Sequence, residues 1–133
     1  DLPPCQGIGV GESCTPAECD RVGRDLAAAP GRLALLVMGD GSNCRSEKAP
    51  GYLDPRAADF DAAVARALAH ADTAALAGLD QALAAELQAA GRAPWQVLAG
   101  AAHGAGLAGR LLYDEAPYGV GYFVSLWTQP APA

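Results

Sequence analysis

The sequence predicts an α/β domain, and three patterns support this prediction. An uninterrupted apolar run at residues 32–38 is typical of a strand that is covered on both faces of a sheet. Stretches with a capping residue and apolar side chains every three or four positions predict helices on either side of that run. Two later segments rich in aromatic and branched residues predict a pair of strands. The 133 residues provide enough material for one domain with its own core.

The chain begins with a predicted arm and a predicted helix. Residues 1–13 are rich in Pro and Gly, which is typical of an extended arm or a short edge strand. Thr15 followed by Glu18 forms a capping-box pattern, which predicts a helix from this point to about Ala28. A Pro-Gly pair then ends that helix.

The central strand is predicted at Arg32–Met38, because the apolar residues there are continuous instead of alternating. The glycines, proline and charged residues of 39–53 predict an exposed loop that leaves the carboxyl end of this strand. In open α/β sheets, ligands bind at the carboxyl ends of strands. We therefore expect a functional site in this loop.

The rest of the chain is predicted to be helical up to a final hairpin. Further helices are expected at residues 55–70, 73–77, 81–91 and 94–102. Strands are expected at residues 110–115 and 119–127. Ala116, Pro117 and Tyr118 would connect the two strands.

Charge and composition exclude several classes of partner. With 15 acidic and 9 basic side chains, the formal charge of -6 repels phosphate backbones, so nucleic acid is not expected. No apolar stretch approaches the roughly 20 residues that cross a bilayer, so no membrane partner and a cytoplasmic location are expected. The four cysteines, Cys5, Cys14, Cys19 and Cys44, lack Cys-x-x-Cys spacing and are expected to be free thiols. The first three would be candidates for oxidation in a secreted chain.

The segment Gly39–Asn43 is the main candidate for chemistry. Gly39 and Gly41 permit close approach of the backbone, and the segment offers amides, a carboxylate and a hydroxyl to a ligand. The alternative is a polar turn in which Asp40 and Ser42 bond their own backbone. The residue types favour neither interpretation.

Other polar residues are weaker candidates. Arg45 could bind a substrate carboxylate, although a solvated surface is the commoner role for such a residue. His70 is expected to cap a helix end, and His103 could act as a base or ligand but has no partner nearby in sequence. Cys44 beside Arg45 is the one plausible activated thiol, although a loop cysteine without a partner base is usually inert.

Four motifs, taken in order, resemble one protein family. They are Met-Gly-Asp-Gly-Ser-Asn at 38–43, Ala-Pro-Gly-Tyr-Leu-Asp-Pro at 49–55, Ala-Gly-Arg-Ala-Pro-Trp at 90–95 and Ala-Pro-Tyr-Gly-Val-Gly-Tyr-Phe at 116–123. Together they resemble the class III extradiol ring-cleavage dioxygenase superfamily, which contains the protocatechuate 4,5-dioxygenase catalytic (B-like) subunits and the Memo-like proteins. The resemblance covers Leu33 to Trp127.

This resemblance implies a three-layer α/β/α sandwich with a mixed, mostly parallel sheet, of which residues 1–133 would form the C-terminal portion. Active members of the family hold ferrous iron with two histidines and a glutamate and open catechol rings with dioxygen. The two histidines belong to an N-terminal half. Fe(II) is therefore expected only if such a half completes the site, and otherwise no cofactor is expected.

The resemblance also assigns site residues. The family's Gly-Asp-x-Ser-His loop matches at Gly39, Asp40 and Ser42. Asn43 stands in place of the acid/base histidine, and an amide cannot exchange a proton near neutral pH. Ala90 stands at the third ligand position, with Glu86 one turn earlier as a weaker candidate for the metal. The substrate-binding candidates are Gly39, Gly41, Arg45 and Tyr118.

Two functions follow from these assignments. The first is an iron-dependent extradiol dioxygenase, or a related oxidoreductase, that acts on catecholic substrates. The alternative is a catalytically degenerate module of the same fold that binds a small polar or aromatic ligand or takes part in an interaction. The expected partners are that small ligand and an N-terminal half or companion chain, with a homo-oligomer as a further alternative.

Overall fold

Five helices and one strand pair make up the fold in the computed structural model, which describes residues 1–132. The helices are α1 (Pro16–Ala28), α2 (Ala57–Ala69), α3 (Thr73–Ala77), α4 (Gln81–Glu86) and α5 (Arg92–Ala102). The strands are β1 (Ala108–Glu115) and β2 (Tyr122–Thr128), which pair antiparallel. The predicted α/β class is confirmed. No helix within residues 1–132 is long and apolar enough to cross a bilayer.

Helix α1 begins at the predicted capping box and lies against α5. The Thr15 hydroxyl accepts from the Glu18 amide at 3.2 Å, and the Glu18 carboxylate accepts from the Thr15 amide at 3.0 Å. A Cβ atom on Gly23 would collide with the Val97 carbonyl of α5, and one on Gly100 would collide with the Asp20 backbone. The two helix backbones are therefore in direct contact, which only glycine at these positions allows.

The main core lies between α2, the α4–α5 region and the strand pair. Phe60, Val64 and Leu68, the apolar stripe of α2, are all buried. Trp95 of α5 meets Phe123 of β2 edge to face, with ring centroids 5.9 Å apart at 72°. This arrangement is favourable for two aromatic rings and fixes β2 against the helices.

Strand β2 begins later than the sequence predicts, at Tyr122 instead of Gly119. The register extends from Ala108 opposite Thr128 to Glu115 opposite Tyr122, with a bulge near Leu112. The chain between the strands is longer than three residues, because Gly119 has a φ of 77° and the following residues bond to another loop. A left-handed backbone of this kind favours glycine.

Helix α4 is shorter than predicted and stops at Glu86 instead of Gly91. The reason is Gln88, whose φ of 53° lies in the left-handed region and breaks the helix. The chain then turns and begins α5 at Arg92. This turn, at residues 87–91, borders the loop that the sequence marks as functional.

The predicted central strand at Arg32–Met38 is not a strand in the structure. The backbone there has no regular structure, and within residues 1–132 no backbone–backbone hydrogen bond involves residues 32–39. The physical reason is that a strand needs a neighbour, and β1 and β2 pair with each other. We refer to Arg32–Gly39 as the unpaired segment. Of the two alternatives for residues 1–13, the edge strand is absent, and the segment is an arm that is mostly exposed.

Candidate functional site

The loop that follows the unpaired segment is held on one side by the α4–α5 turn. The Gly91 amide donates to the Asp40 carbonyl at 2.7 Å, and the Asn43 amide donates to the Leu87 carbonyl at 3.2 Å. A Cβ atom on Gly39 would lie 2.5 Å from the Gly91 Cα. Gly39 thus allows a close backbone approach, as expected, but the group that approaches it is Gly91 of the same chain and not a ligand.

On its other side the same loop is held by the connection between β1 and β2. The Gly41 amide donates to the Gly121 carbonyl at 2.7 Å, and the Gly121 amide donates to the Ser42 carbonyl at 2.9 Å. The Arg45 amide donates to the Gly119 carbonyl at 2.9 Å. Residues 39–45 therefore bridge the helical layer and the hairpin, and we call them the bridging loop.

The buried carboxylate of Asp61 holds the bridging loop against helix α2. Asp61 of α2 is 1% exposed and accepts from the Ser42 amide at 2.9 Å, from the Ser42 hydroxyl at 2.7 Å and from Arg45 Nη1 at 3.2 Å. Ser42 is fully buried, so its hydroxyl faces Asp61 and not solvent. The three hydrogen-bond donors compensate for the removal of the Asp61 carboxylate from water.

Sequence reasoning missed Asp61, although a signal was present. Asp61 lies seven residues before Leu68 on a helix whose apolar residues recur at such intervals, so its side chain falls on the buried side. A carboxylate in a buried stripe requires a partner from elsewhere in the fold. Here the partners are Ser42 and Arg45, two of the predicted site residues.

Asn43 is oriented by two hydrogen bonds of its side chain. Its Nδ2 donates to the Gln88 Oε1 at 2.7 Å, and its Oδ1 accepts from the Cys44 Sγ at 3.3 Å. Gln88, in its left-handed conformation, is the partner that reaches the loop from the α4–α5 turn. The amide therefore connects the bridging loop to the turn that contains Ala90.

Cys44 is not an activated thiol. Burial raises the pKa of Cys44, and the negative charges of Asp54 and Asp61 raise it further. The Sγ also lies within donating distance of the carbonyl oxygens of Leu87, at 3.5 Å, and Gly51, at 3.7 Å. The surroundings of Cys44 favour the neutral thiol, which agrees with the expectation that a loop cysteine without a partner base is inert.

The residues at the metal-related positions do not fit a ferrous ion. Ala90 has no donor atom, and the Glu86 carboxylate is exposed and accepts from Arg56 Nη1 at 2.7 Å. Across residues 1–132 there is no group of three or more His, Cys, Asp or Glu side chains with the spacing of a metal site. At the position that the resemblance marks for the third ligand, the side chain of Ala90 therefore offers no ligand atom.

A cavity of about 220 Å³ lies beside the α4–α5 turn. Its lining includes Gln88 and Ala90 together with the polar side chains of Glu12, Gln81 and Arg92. The buried Arg92 is fully engaged, since it donates to the carbonyls of Glu12 and Cys14 at 2.6 Å each and to Gln96 Oε1 at 3.0 Å. Gln88 thus bonds to Asn43 and lines the same cavity as Ala90.

The remaining candidates are distributed around this region. The Asp40 side chain is exposed, and among residues 1–132 it has no hydrogen-bond or ion-pair partner. Tyr118 is 75% exposed in the turn next to Gly119, and so it lies near the Arg45 backbone. His70 is the C-cap of α2, with Nδ1 2.9 Å from the Arg66 carbonyl oxygen, as a capping role requires. His103 is exposed at the end of α5.

Comparison with protein-family models, curated protein sequences and solved structures finds no match to the chain. Support for a family therefore comes from the four sequence motifs, and support for a site comes from the contacts of the bridging loop.

Proposed function

We propose that this chain is part of an extradiol-dioxygenase-like domain that has lost the iron chemistry and retains a small-ligand site. The site lies between the bridging loop and the α4–α5 turn. The observation that carries the proposal is the hydrogen bond from Asn43 to Gln88, because Gln88 lines the same cavity as Ala90. Under this proposal, the positions that the family pattern uses for proton transfer and for metal binding are occupied by Asn43, which bonds to Gln88, and by Ala90, which lines the same cavity as Gln88, and neither side chain suits that chemistry.

The groups that remain suit recognition of a polar or aromatic molecule. Asp40 offers an exposed carboxylate on the bridging loop, and Asn43 keeps one further N–H group for donation. The cavity beyond Gln88 is lined by alanines together with the polar side chains of Glu12, Gln81 and Arg92. Arg45 is held by Asp61 but remains 30% exposed, so part of its guanidinium can face an anionic substituent. A hydroxylated aromatic acid combines these features.

The proposal includes the three-layer α/β/α arrangement with a mostly parallel sheet that the motifs imply. The composition of the unpaired segment supports it, because the segment is apolar from Leu33 to Met38 but has no strand beside it. Further strands would come from polypeptide outside residues 1–132. Such a sheet would place the bridging loop at the carboxyl end of a central strand, where sites gather.

Calorimetric titration with 3,4-dihydroxybenzoate and with catechol tests the ligand site. Asp40→Ala and Asn43→Ala should each weaken binding about tenfold, the loss that corresponds to one or two hydrogen bonds. Asp25→Ala removes an exposed carboxylate of α1 and should leave affinity unchanged. Thermal melts of each variant separate lost binding from lost structure. No binding by the wild type, or equal binding by all three variants, would contradict the site.

Oxygen consumption tests the loss of iron chemistry. The protein is loaded with Fe(II) without oxygen and then given oxygen and each catecholic compound. Uptake should not exceed that of the same amount of free Fe(II), because Ala90 offers no side-chain ligand at the position that the family pattern gives to the third iron ligand. Protein-dependent uptake would overturn the proposal in favour of an active dioxygenase.

A further inference from the structure

The start of helix α1 carries two cysteines at the positions that form a hydrophobic staple. Thr15 is the N-cap of α1 and Glu18 is its third residue, so Cys14 directly precedes the cap and Cys19 is the fourth residue of the helix. Apolar side chains at these two positions pack against each other across the first turn and fix the entry of the chain into the helix. In this protein both side chains of the staple are thiols.

Contacts in the structure bring the same two residues together. Cys19 is fully buried in a small cluster with Ala93 and Val97 of α5, and the partly exposed Cys14 packs against that cluster. Cys19 Sγ lies 3.9 Å from the carbonyl oxygen of Cys14. The sulfur of one cysteine is therefore already in contact with the other residue.

Arg92 holds the two cysteines in this arrangement. Its Nη1 donates to the Cys14 carbonyl at 2.6 Å and lies 3.9 Å from Cys19 Sγ. The same guanidinium is almost fully buried and also donates to the Glu12 carbonyl through Nη2 at 2.6 Å. Gln81 Nε2 lies 3.4 Å from the Cys14 carbonyl oxygen. The backbone at Cys14 is thus fixed beside Cys19 before any bond between the sulfurs forms.

The other two cysteines lie elsewhere in the fold. Cys5 is exposed in the N-terminal arm. Cys44 is buried in the main core, where its Sγ contacts the carbonyl oxygens of Leu87 and Gly51. Within residues 1–132, Cys14 and Cys19 are therefore the cysteines that the fold brings together.

We propose that Cys14 and Cys19 are a reversible dithiol–disulfide site whose oxidant is a low-molecular-weight disulfide. In the first step the Cys14 thiol loses its proton to water, and its sulfur attacks one sulfur of the small disulfide. A mixed disulfide forms at Cys14, and one small thiol leaves after taking up a proton. In the second step Cys19 loses its proton and attacks the Cys14 sulfur, which releases the second small thiol. Two protein thiols are thereby oxidised, and one small disulfide is reduced to two thiols.

Exposure determines which cysteine reacts with the small molecule. Cys14 is partly exposed, whereas Cys19 is fully buried and cannot be reached by a small disulfide from solvent. Burial raises the pKa of Cys19, and the guanidinium of Arg92 opposes that rise. Cys19 is thus a neutral thiol at rest, and it resolves the mixed disulfide once the Cys14 sulfur is presented to it. This pairing does not require the proposed ligand site to be occupied.

The oxidation equilibrium in glutathione redox buffers, measured on the full chain, tests the site. After acid quenching, a glutamate-specific protease cuts at Glu12 and Glu18, so only a disulfide keeps the peptides of Cys14 and Cys19 together. Mass spectrometry should detect this linked pair in the native protein. The equilibrium constant for its formation should be at least about tenfold larger in the native chain than in denaturing urea. The reason is that the fold has already brought these residues together, whereas the flexible chain loses entropy when it closes the loop.

Three variants provide the controls. Cys14→Ser and Cys19→Ala should each abolish the linked pair, and circular dichroism shows whether each variant is folded. Cys5→Ser removes an exposed cysteine outside the cluster and should leave the equilibrium constant unchanged. An equilibrium constant no larger in the native chain than in urea, a mixed disulfide at Cys14 that Cys19 does not displace, or a main product that joins Cys5 to either residue would each overturn the proposal.

Discussion

The single residue on which the bridging loop depends most is Asp61. Its carboxylate is almost fully buried and receives the Ser42 amide, the Ser42 hydroxyl and Arg45. Gly41 and Gly121 leave no room for a side chain, since a Cβ atom on either would lie within 3 Å of the Asp61 carboxylate. The loop conformation is therefore determined jointly by one charge and two glycines.

Replacing this carboxylate should destabilise the fold. Asp61→Ala leaves the buried Ser42 hydroxyl without its acceptor and Arg45 without its counter-ion, so the free energy of unfolding should fall by about 3 kcal/mol. Urea denaturation measures the change. Asp59→Ala, on the exposed side of the same helix, should cost less than about 1 kcal/mol. Equal losses for the two variants would show that the Asp61 contacts do not stabilise the loop.

The buried thiol of Cys44 makes stability depend on alkaline pH. Burial raises the pKa of Cys44 in the folded state, so the unfolded thiol ionises first. The stabilising contribution is complete below the ordinary thiol pKa of about 8.5 and is lost as the pH rises through the higher folded value. Cys44→Ala should therefore flatten the decline of unfolding free energy above this pH, measured by urea denaturation at each pH.

Cys19 provides a second test of the same pH dependence. Burial also raises the pKa of Cys19, so Cys19→Ala should flatten the decline as well. An alkaline decline with the same slope in wild type and both variants would assign it to other groups.

Local chemistry explains which site residues could be predicted from the sequence. Gly39 and Asp40 could be selected as site candidates from their residue types alone. The capping role of His70 could be predicted from its position at the end of a predicted helix. The burial of Ser42 and of Cys44 depends on Asp61 and on Leu87, which are distant in sequence. No local pattern contains such a contact.

Among the elements, the contact between α1 and α5 is the most restricted. The helices meet at Gly23 and Gly100, where the backbone of one touches the backbone of the other. Arg92 and Gln96 of α5 add buried polar contacts to the arm before α1 and to the end of α3. Helix α5 thus joins α1, α3 and the N-terminal arm.

A methyl group at this crossing should separate the two helices. Gly23→Ala places a Cβ against the Val97 carbonyl, which cannot move within α5, so unfolding free energy should fall by about 2 kcal/mol or more despite the better helix propensity of alanine. Thermal denaturation followed by circular dichroism measures the loss. Gly7→Ala is the control, because nothing lies within 4 Å of its added Cβ. A gain in stability for Gly23→Ala would contradict the close contact.

The elements that the sequence predicted well are those whose signals are local. The capping box at Thr15 and Glu18 and the cap at Asp80 mark helix starts within a few residues. The end of α4 was predicted too late in the sequence, because the left-handed backbone that ends the helix occurs at Gln88 and not at a glycine, the residue type that usually marks such a position. The strand at Arg32–Met38 was misassigned because an apolar composition indicates a tendency to be buried but does not show whether a neighbouring strand is present.

At the scale of the whole molecule, polar contacts join the N-terminal arm to the helices. Arg92 is 3% exposed, and its guanidinium binds the carbonyls of Glu12 and Cys14. Gln96 donates to three carbonyl oxygens, those of Leu76, Ala77 and Leu79, at 3.1–3.2 Å. Buried donors of this kind leave few alternative arrangements for the segments they hold.

The unpaired segment also bears on the solubility of the newly made chain. Leu33–Met38 is six residues without charge or proline, the composition from which amyloid steric zippers are built. Pro30, Arg32 and Asp40 stand immediately around it, in the places where gatekeeper residues interrupt fibril growth. These three flanking residues therefore disfavour fibril growth from the unpaired segment while the chain is being synthesised.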